Sequence, residues 1–167
     1  MGIDPGSRLT GWGVIEWRGH QQPTHLAHGV IRLPAHAELP LRLHQLHQEL
    51  TKLLLKYQPF AVVVEKIFLG RNADSAFKLG HARGVCLQCV AGAEAKAFEY
   101  AARKVKLAVT GQGKASKEQV RLHTSRFLGL ADALPLDASD ALALTLCHIQ
   151  EMSQRNKIAQ AREMELR

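Results

Sequence analysis

Phe60-Ala61-Val62-Val63-Val64-Glu65 is the stretch on which the fold turns. Its apolar residues run without the polar alternation of a half-solvated strand, and three of them are β-branched valines. A short continuous run of this kind suits a strand covered on both faces, as at the parallel centre of an α/β sheet. Immediately before it, Leu39, Leu43, Leu46, Leu50, Leu53, Leu54 and Tyr57 follow helical spacing through residues 38–57, and Pro59 separates the two patterns. Upstream of that helix, residues 1–33 read as strands. Met1 to Asp4 is a short apolar stub running into the turn Asp4-Pro5-Gly6. Trp12 and Val14 then alternate with Gly13, Ile15 and Trp17, and Leu26 to Leu33 offers a third strand after a polar turn. Such short connections imply an antiparallel meander. A strand, a long helix and a buried strand together imply that the 60–65 run pairs parallel to an earlier strand.

Downstream, residues 73–91 read as a helix with Ala73, Ala76, Gly80 and Gly84 on one stripe. Two interior glycines weaken a helix by roughly 1 kcal/mol each relative to alanine, so a close packing contact is the expected reason for them. Lys96 to Tyr100 suits a short strand and Ala101 to Val109 a helix, ended by Gly111-Gln112-Gly113. Ser116 and Gln119 have capping-box spacing and open a helix whose Val120, Phe127 and Leu128 share a face. A last helix is expected from about Asp137 to Glu151. The reading is one domain over residues 1–150 with a polar tail over 151–167, and no internal repeat.

The chain of 167 residues carries 22 Lys and Arg against 15 Asp and Glu, a net charge of +7. That surplus favours a polyanionic partner, nucleic acid ahead of an anionic membrane. No run of 18 apolar residues is present, so no membrane span is expected. Met1-Gly2-Ile3-Asp4 lacks the features of a secretion signal, and three cysteines make no disulfide framework; both fit a cytoplasmic protein.

The chemistry lies in four carboxylates. Asp4 ends the first strand and Glu65 ends the buried one, so parallel pairing of the two would bring both carboxylates out at one edge of the sheet. Open α/β sheets place their sites outside the carboxyl ends of parallel strands. Asp137 and Asp140 stand three apart at the start of a helix and share one face. Converging carboxylates repel one another unless a cation lies between them, and all-oxygen ligation suits Mg²⁺ or Mn²⁺ rather than zinc. Each residue also has a plainer reading. Asp-Pro-Gly is an ordinary turn, Glu65 a solvated strand end, Asp137 an N-cap and Asp140 a complement to the helix dipole. Their joint placement argues against taking them singly.

Gly2-Ile3-Asp4-Pro5-Gly6-Ser7 followed by Thr10-Gly11-Trp12-Gly13 resembles the opening of RuvC resolvases. Val64-Glu65-Lys66-Ile67-Phe68, then Asn72-Ala73-Asp74-Ser75-Ala76 and Leu79-Gly80-His81-Ala82-Arg83-Gly84, is similar to that family's second motif. Phe98-Glu99-Tyr100-Ala101-Ala102-Arg103 and Asp137-Ala138-Ser139-Asp140-Ala141-Leu142-Ala143 complete five blocks in family order, from residue 2 to about 148. The resemblance implies a ribonuclease H-like mixed five-stranded sheet flanked by helices, and a homodimer. It maps a metal site, with two magnesium ions, onto Asp4, Glu65, Asp137 and Asp140. It further implies resolution of four-way DNA junctions by two symmetric magnesium-dependent nicks in recombination and repair, with a branch-migration helicase complex as a partner. Only three residues precede Asp4, fewer than the family's usual apolar lead-in, so the first strand is expected to be short.

On this reading Asp4, on the central strand, bridges the ions, and Glu65 and one of Asp137 and Asp140 flank it. Which of the two aspartates ligates and which assists as base stays open. Lys106 and Lys117 match basic positions of the family and would hold phosphates, with Lys114, Arg71 and Arg83 as further candidates. Phe68 leads into a Gly-Arg-Asn loop; it either stacks on a base at the opened junction or closes the strand end as a core residue. His148, two turns beyond Asp140, is placed near the site from behind its ligands. Cys86 and Cys89 form Cys-x-x-Cys inside a helix, with no second pair at ligand spacing, so buried helix cysteines are expected. An actin-like phosphotransferase would share Asp-x-Gly but needs a second similar domain. A non-catalytic junction-binding module would bind DNA without metal-dependent cleavage.

Overall fold

The computed structural model describes residues 1–19, 21–66, 73–130 and 134–165. Strands β1 (Gly2–Asp4), β2 (Leu9–Glu16) and β3 (Thr24–Arg32) come first, then helix α1 (Leu39–Tyr57), strand β4 (Ala61–Lys66) and helix α2 (Ala73–Gly92). Strand β5 (Lys96–Ala101) and helices α3 (Ala102–Thr110), α4 (Lys117–Leu128) and α5 (Leu136–Glu165) follow. One five-stranded sheet results, in the order β3-β2-β1-β4-β5. The β3-β2-β1 half is antiparallel, while β4 pairs parallel with both β1 and β5. The short stub β1 therefore sits at the centre, where the meander meets the parallel half.

Burial on both faces explains the unbroken apolar run in β4. Val62 and Val64 pack under α1 and α2, against Leu46, Leu50, Cys86 and Val90, whereas Val63 points the other way to Val105, Val120 and Leu144 of α3, α4 and α5. All three valines are fully buried. Burying a valine completely stabilises a fold by roughly 1.5–3 kcal/mol, so the central strand is fixed from both sides. The leucine stripe of α1 turns Leu46, Leu50 and Leu54 inward, at one-turn spacing. At α4 the capping box forms as its spacing indicates: Ser116 Oγ accepts from the Gln119 N–H, and Gln119 Oε1 accepts from the Ser116 N–H.

Two expectations are corrected, and a third finds no partner among the described residues. α5 does not stop near Glu151 but continues as helix to Glu165, with residues 154–162 exposed, so the polar stretch is a helix projecting into solvent. The inward face of α4 is Val120, Thr124 and Ser125; Phe127 is half-exposed, and Leu128 packs at the margin of the core. Gly80 and Gly84 are exposed, and a methyl added to either would meet nothing within 4 Å. Among the described residues no packing contact accounts for these two glycines. Cys86 and Cys89 are buried free thiols, as the helix reading requires.

Candidate active site

The register of β1 on β4 sets Gly2 opposite Val63 and Ile3 opposite Val64. One further step puts Asp4 beside Glu65, close enough for each carboxyl to shift the other's proton affinity. Both lie at the carboxyl ends of neighbouring parallel strands. Asp140 approaches from the second turn of α5, and Lys106 of α3 and Lys117 at the start of α4 close the far side. These five residues line an open recess of about 230 Å³ whose floor is apolar, formed by Val105, Val120 and Leu144.

Electrostatics in the recess are unfavourable to the bare carboxylates. Burial pushes the Asp4 carboxyl up to about 8, with the charges of Glu65, Asp140 and Asp137 adding to the rise and Lys117 opposing it. Glu65 is raised as well, first by burial and then by Asp140, while Lys117, the neighbouring Asp4 carboxyl and Lys106 pull the other way. The Lys117 Nζ donates to Asp140 Oδ2 at 3.0 Å, and this hydrogen bond raises the lysine's own affinity for its proton. The positive charges that offset the carboxylates are Lys117, paired with Asp140, and Lys106, which acts on Glu65. Among the described residues no three side chains of His, Cys, Asp or Glu are drawn tightly enough together to hold a metal as they stand. The donor set nevertheless fits one: carboxylate oxygens only, facing a recess, with a buried member that is hard to ionise until positive charge arrives.

The residues singled out in the sequence fare unequally. Asp4, Glu65 and Asp140 meet in the recess, and so do Lys106 and Lys117. Asp137 is half-buried one turn earlier on α5; its charge reaches Asp4, but it does not line the recess. Lys114 is exposed and outside it. Arg83 is no free phosphate ligand: its guanidinium pairs with Glu99, and its Nε donates to the Glu65 carbonyl oxygen at 3.3 Å, tying α2 to the ends of β4 and β5. His148 does not support the carboxylates either. It is buried against Phe98, with Nδ1 at 2.9 Å from the Tyr100 hydroxyl. Phe68 and Arg71 lie outside the described residues.

Thr10 is a participant that pattern reading missed. It is fully buried, and its Oγ1 accepts from the Gly6 N–H at 3.2 Å and donates to the Gly6 carbonyl at 3.1 Å. That pair closes the turn that follows Asp4. A buried threonine four residues after Asp-Pro-Gly leaves no periodicity signal, because its partner is backbone.

The family model for crossover junction endodeoxyribonuclease RuvC matches residues 1–148. The crossover junction endodeoxyribonuclease RuvC of Geobacter sulfurreducens is 45% identical over 148 residues, covering 89% of this chain and 90% of its own. That of Bdellovibrio bacteriovorus is 46% identical over 155 residues, covering 93% and 92%. Among solved structures, T. thermophilus RuvC in complex with Holliday junction substrate superposes with a TM-score of 0.84 at 32% identity, over 92% of this chain and 93% of that one. The yeast mitochondrial Holliday junction resolvase, at a TM-score of 0.56 and 10% identity over 96% and 84%, shares the fold alone. The mixed sheet and its flanking helices are thus ribonuclease H-like.

Proposed function

The chain belongs to the RuvC family of crossover junction endodeoxyribonucleases, and we propose that it resolves Holliday junctions using Asp4, Glu65, Asp137 and Asp140 as ligands of divalent cations. It is an endodeoxyribonuclease, and the nucleases of this family are metal-dependent. The observation that carries the reading is the meeting of Asp4, Glu65 and Asp140 with Lys106 and Lys117 in one recess at the carboxyl edge of the parallel strands. Magnesium is the ion proposed, with manganese as a substitute, and two per site. Such ions, once bound, activate an attacking water, offset charge on the phosphoryl oxygens and steady the leaving alkoxide.

The side chains would do the rest. Asp4, on the central strand, holds the middle of the ligand set; Glu65 and Asp140 flank it. Asp137, outside the recess but coupled to Asp4, completes the set or assists as base. Lys106 and Lys117 bind the phosphates on either side of the scissile one, and Lys117 can do so fully only when positive charge replaces it at Asp140. Lys114 and Arg71 extend the phosphate-binding surface, and Phe68 stacks on a base where the junction opens. The recess is open, so the phosphate of an unstacked strand can enter it from solvent.

A four-way junction offers two equivalent scissile phosphates, which calls for a two-fold symmetric homodimer. The stripe of Ala73, Ala76, Gly80 and Gly84 on α2, exposed but for the half-buried Ala76, is the surface proposed for it, since small residues let two helices approach closely. A branch-migration helicase complex as supplier of junctions belongs to the same proposal. A gel comparing binding and nicking of a four-way junction, with and without Mg²⁺, tests the whole reading. Symmetric nicks only with metal support it; tight binding without nicking in Mg²⁺ would make the chain a junction-binding module.

A further inference from the structure

Helices usually pack on sheets through a layer of side chains, but α5 is seated on strand backbone. In β1 and β2, Gly2 pairs with Gly13 and Asp4 with Gly11. A Cβ built on Gly11 would overlap the carbonyl oxygen of Asp137 and stand 3.1 Å from the Ala138 nitrogen. A Cβ on Gly2 would overlap the carbonyl oxygen of Ala141, one turn on, and come within 2.6 Å of Thr145 Oγ1. From the helix side, Ala138, Ser139 and Ala141 are fully buried and small. Gly13 differs: its Cβ would meet first the Leu142 side chain, at 2.5 Å from Cδ2 and 2.6 Å from Cγ, with the Leu142 nitrogen at 3.3 Å. The Gly2 and Gly11 contacts are therefore with main chain that cannot swing aside, whereas the Gly13 contact is first with the buried Leu142 side chain.

The helix turns resting on Gly2 and Gly11 are those that carry Asp137 and Asp140. Asp4 shares a strand with Gly2 and a register pair with Gly11, so the two glycines set how far α5 stands from Asp4. We infer that Gly2 and Gly11 are positioning residues of the cleavage site, which hold the α5 carboxylates within reach of a cation shared with Asp4. The inference rests on the reading of these carboxylates as metal ligands. Interior glycine in a strand commonly marks such a close backbone approach, at the expense of strand stability. Neither glycine touches a ligand carboxylate or the substrate; Gly11 abuts only the main chain of Asp137, and each acts through the position of the helix.

The test measures the Mn²⁺ concentration that half-saturates thermal stabilisation of the full chain, for wild type, Gly11→Ala, Gly2→Ala, Gly13→Ala and Asp4→Asn, beside junction affinity in EDTA. Gly11→Ala and Gly2→Ala are expected to raise that concentration by about 10- to 100-fold, the usual effect of disturbing what orients a ligand. Junction affinity in EDTA stays at the wild-type level, and part of the lost nicking returns at high Mn²⁺. Gly13→Ala is expected to lower the melting temperature while leaving the Mn²⁺ midpoint within about twofold of wild type, well short of that effect. Wild-type midpoints for Gly11→Ala and Gly2→Ala, or an equal shift for Gly13→Ala, overturn the inference; so does failure of both variants to fold, which would make them packing residues only. An unchanged Mn²⁺ response in Asp4→Asn sinks the ligand reading itself, and the inference with it.

Discussion

At the scale of single residues, Asp4 carries the most information. Its carboxyl is pushed up to about 8 in the folded chain, against an ordinary value of 3.8, chiefly by burial. The folded state thus keeps a proton between about pH 4 and 8 that the unfolded state has released. Metal-free stability should therefore fall as pH rises through that window, by at most about 1.4 kcal/mol per pH unit from this group. Glu65 is shifted in the same direction and adds to the slope. Asp4→Asn, which cannot ionise, should flatten the decline between pH 6 and 8 when melts are run in EDTA; parallel slopes in the variant and wild type would deny that Asp4 is strained. Lys117 makes a second residue-scale case. If it passes from Asp140 to a phosphate once metal is bound, Lys117→Ala should reduce the slope of log affinity against log salt by about 0.9. Unaltered affinity and slope would return it to the role of an intramolecular ion pair. Asp4, Glu65 and Asp140 were legible in the sequence because each ends or begins an element of clear periodicity. Arg83 and Thr10 were not: what they do depends on backbone partners and on Glu99, which only the folded chain brings near.

At the scale of elements, α2 and the segment after β4 matter most. The small-residue stripe of α2 was visible in the sequence, but its reason was not, since Gly80 and Gly84 meet nothing among the described residues. Gly80→Leu should weaken dimerisation and uncouple the two nicks, as sedimentation and junction assays would read; an unaltered dimer would put the interface elsewhere. Phe68 follows β4 in sequence. As a stacking residue it should matter to nicking far more than to folding, one stacked base being worth about 1–3 kcal/mol. Phe68→Ala would then nick junctions slowly with a normal melting temperature, and Phe68→Trp would recover most of the rate. A large fall in melting temperature with normal nicking by the folded fraction would make Phe68 a core residue instead. The end of α5 was misjudged for a physical reason: beyond Glu151 the helix loses its apolar face, which periodicity depends on, while helix-favouring Gln, Arg, Lys, Ala and Glu continue it to Glu165.

At the scale of the whole molecule, topology converts a simple pattern into a site. Because β1 is central and parallel to β4, two carboxylates far apart in sequence end side by side. Because α5 crosses that same sheet on its backbone, a third arrives within one recess, and α3 and α4 add their lysines. The valine run of β4 was enough to read the parallel centre; that β1 rather than β3 is its neighbour, and that β5 lies on its far side, only the folded chain shows. What the sequence left hidden was depth: how far Asp4 is buried, and that Lys117 already neutralises Asp140. The most direct test is one assay of binding and nicking on a four-way junction, with wild type and Asp4→Asn, each in Mg²⁺ and in EDTA. Wild type is expected to bind under both conditions and to nick two like strands symmetrically in Mg²⁺ alone, with Asp4→Asn binding equally well and nicking in neither. Nicking by wild type in EDTA, or by Asp4→Asn at the wild-type rate in Mg²⁺, would contradict the assignment of this recess as the site of cleavage.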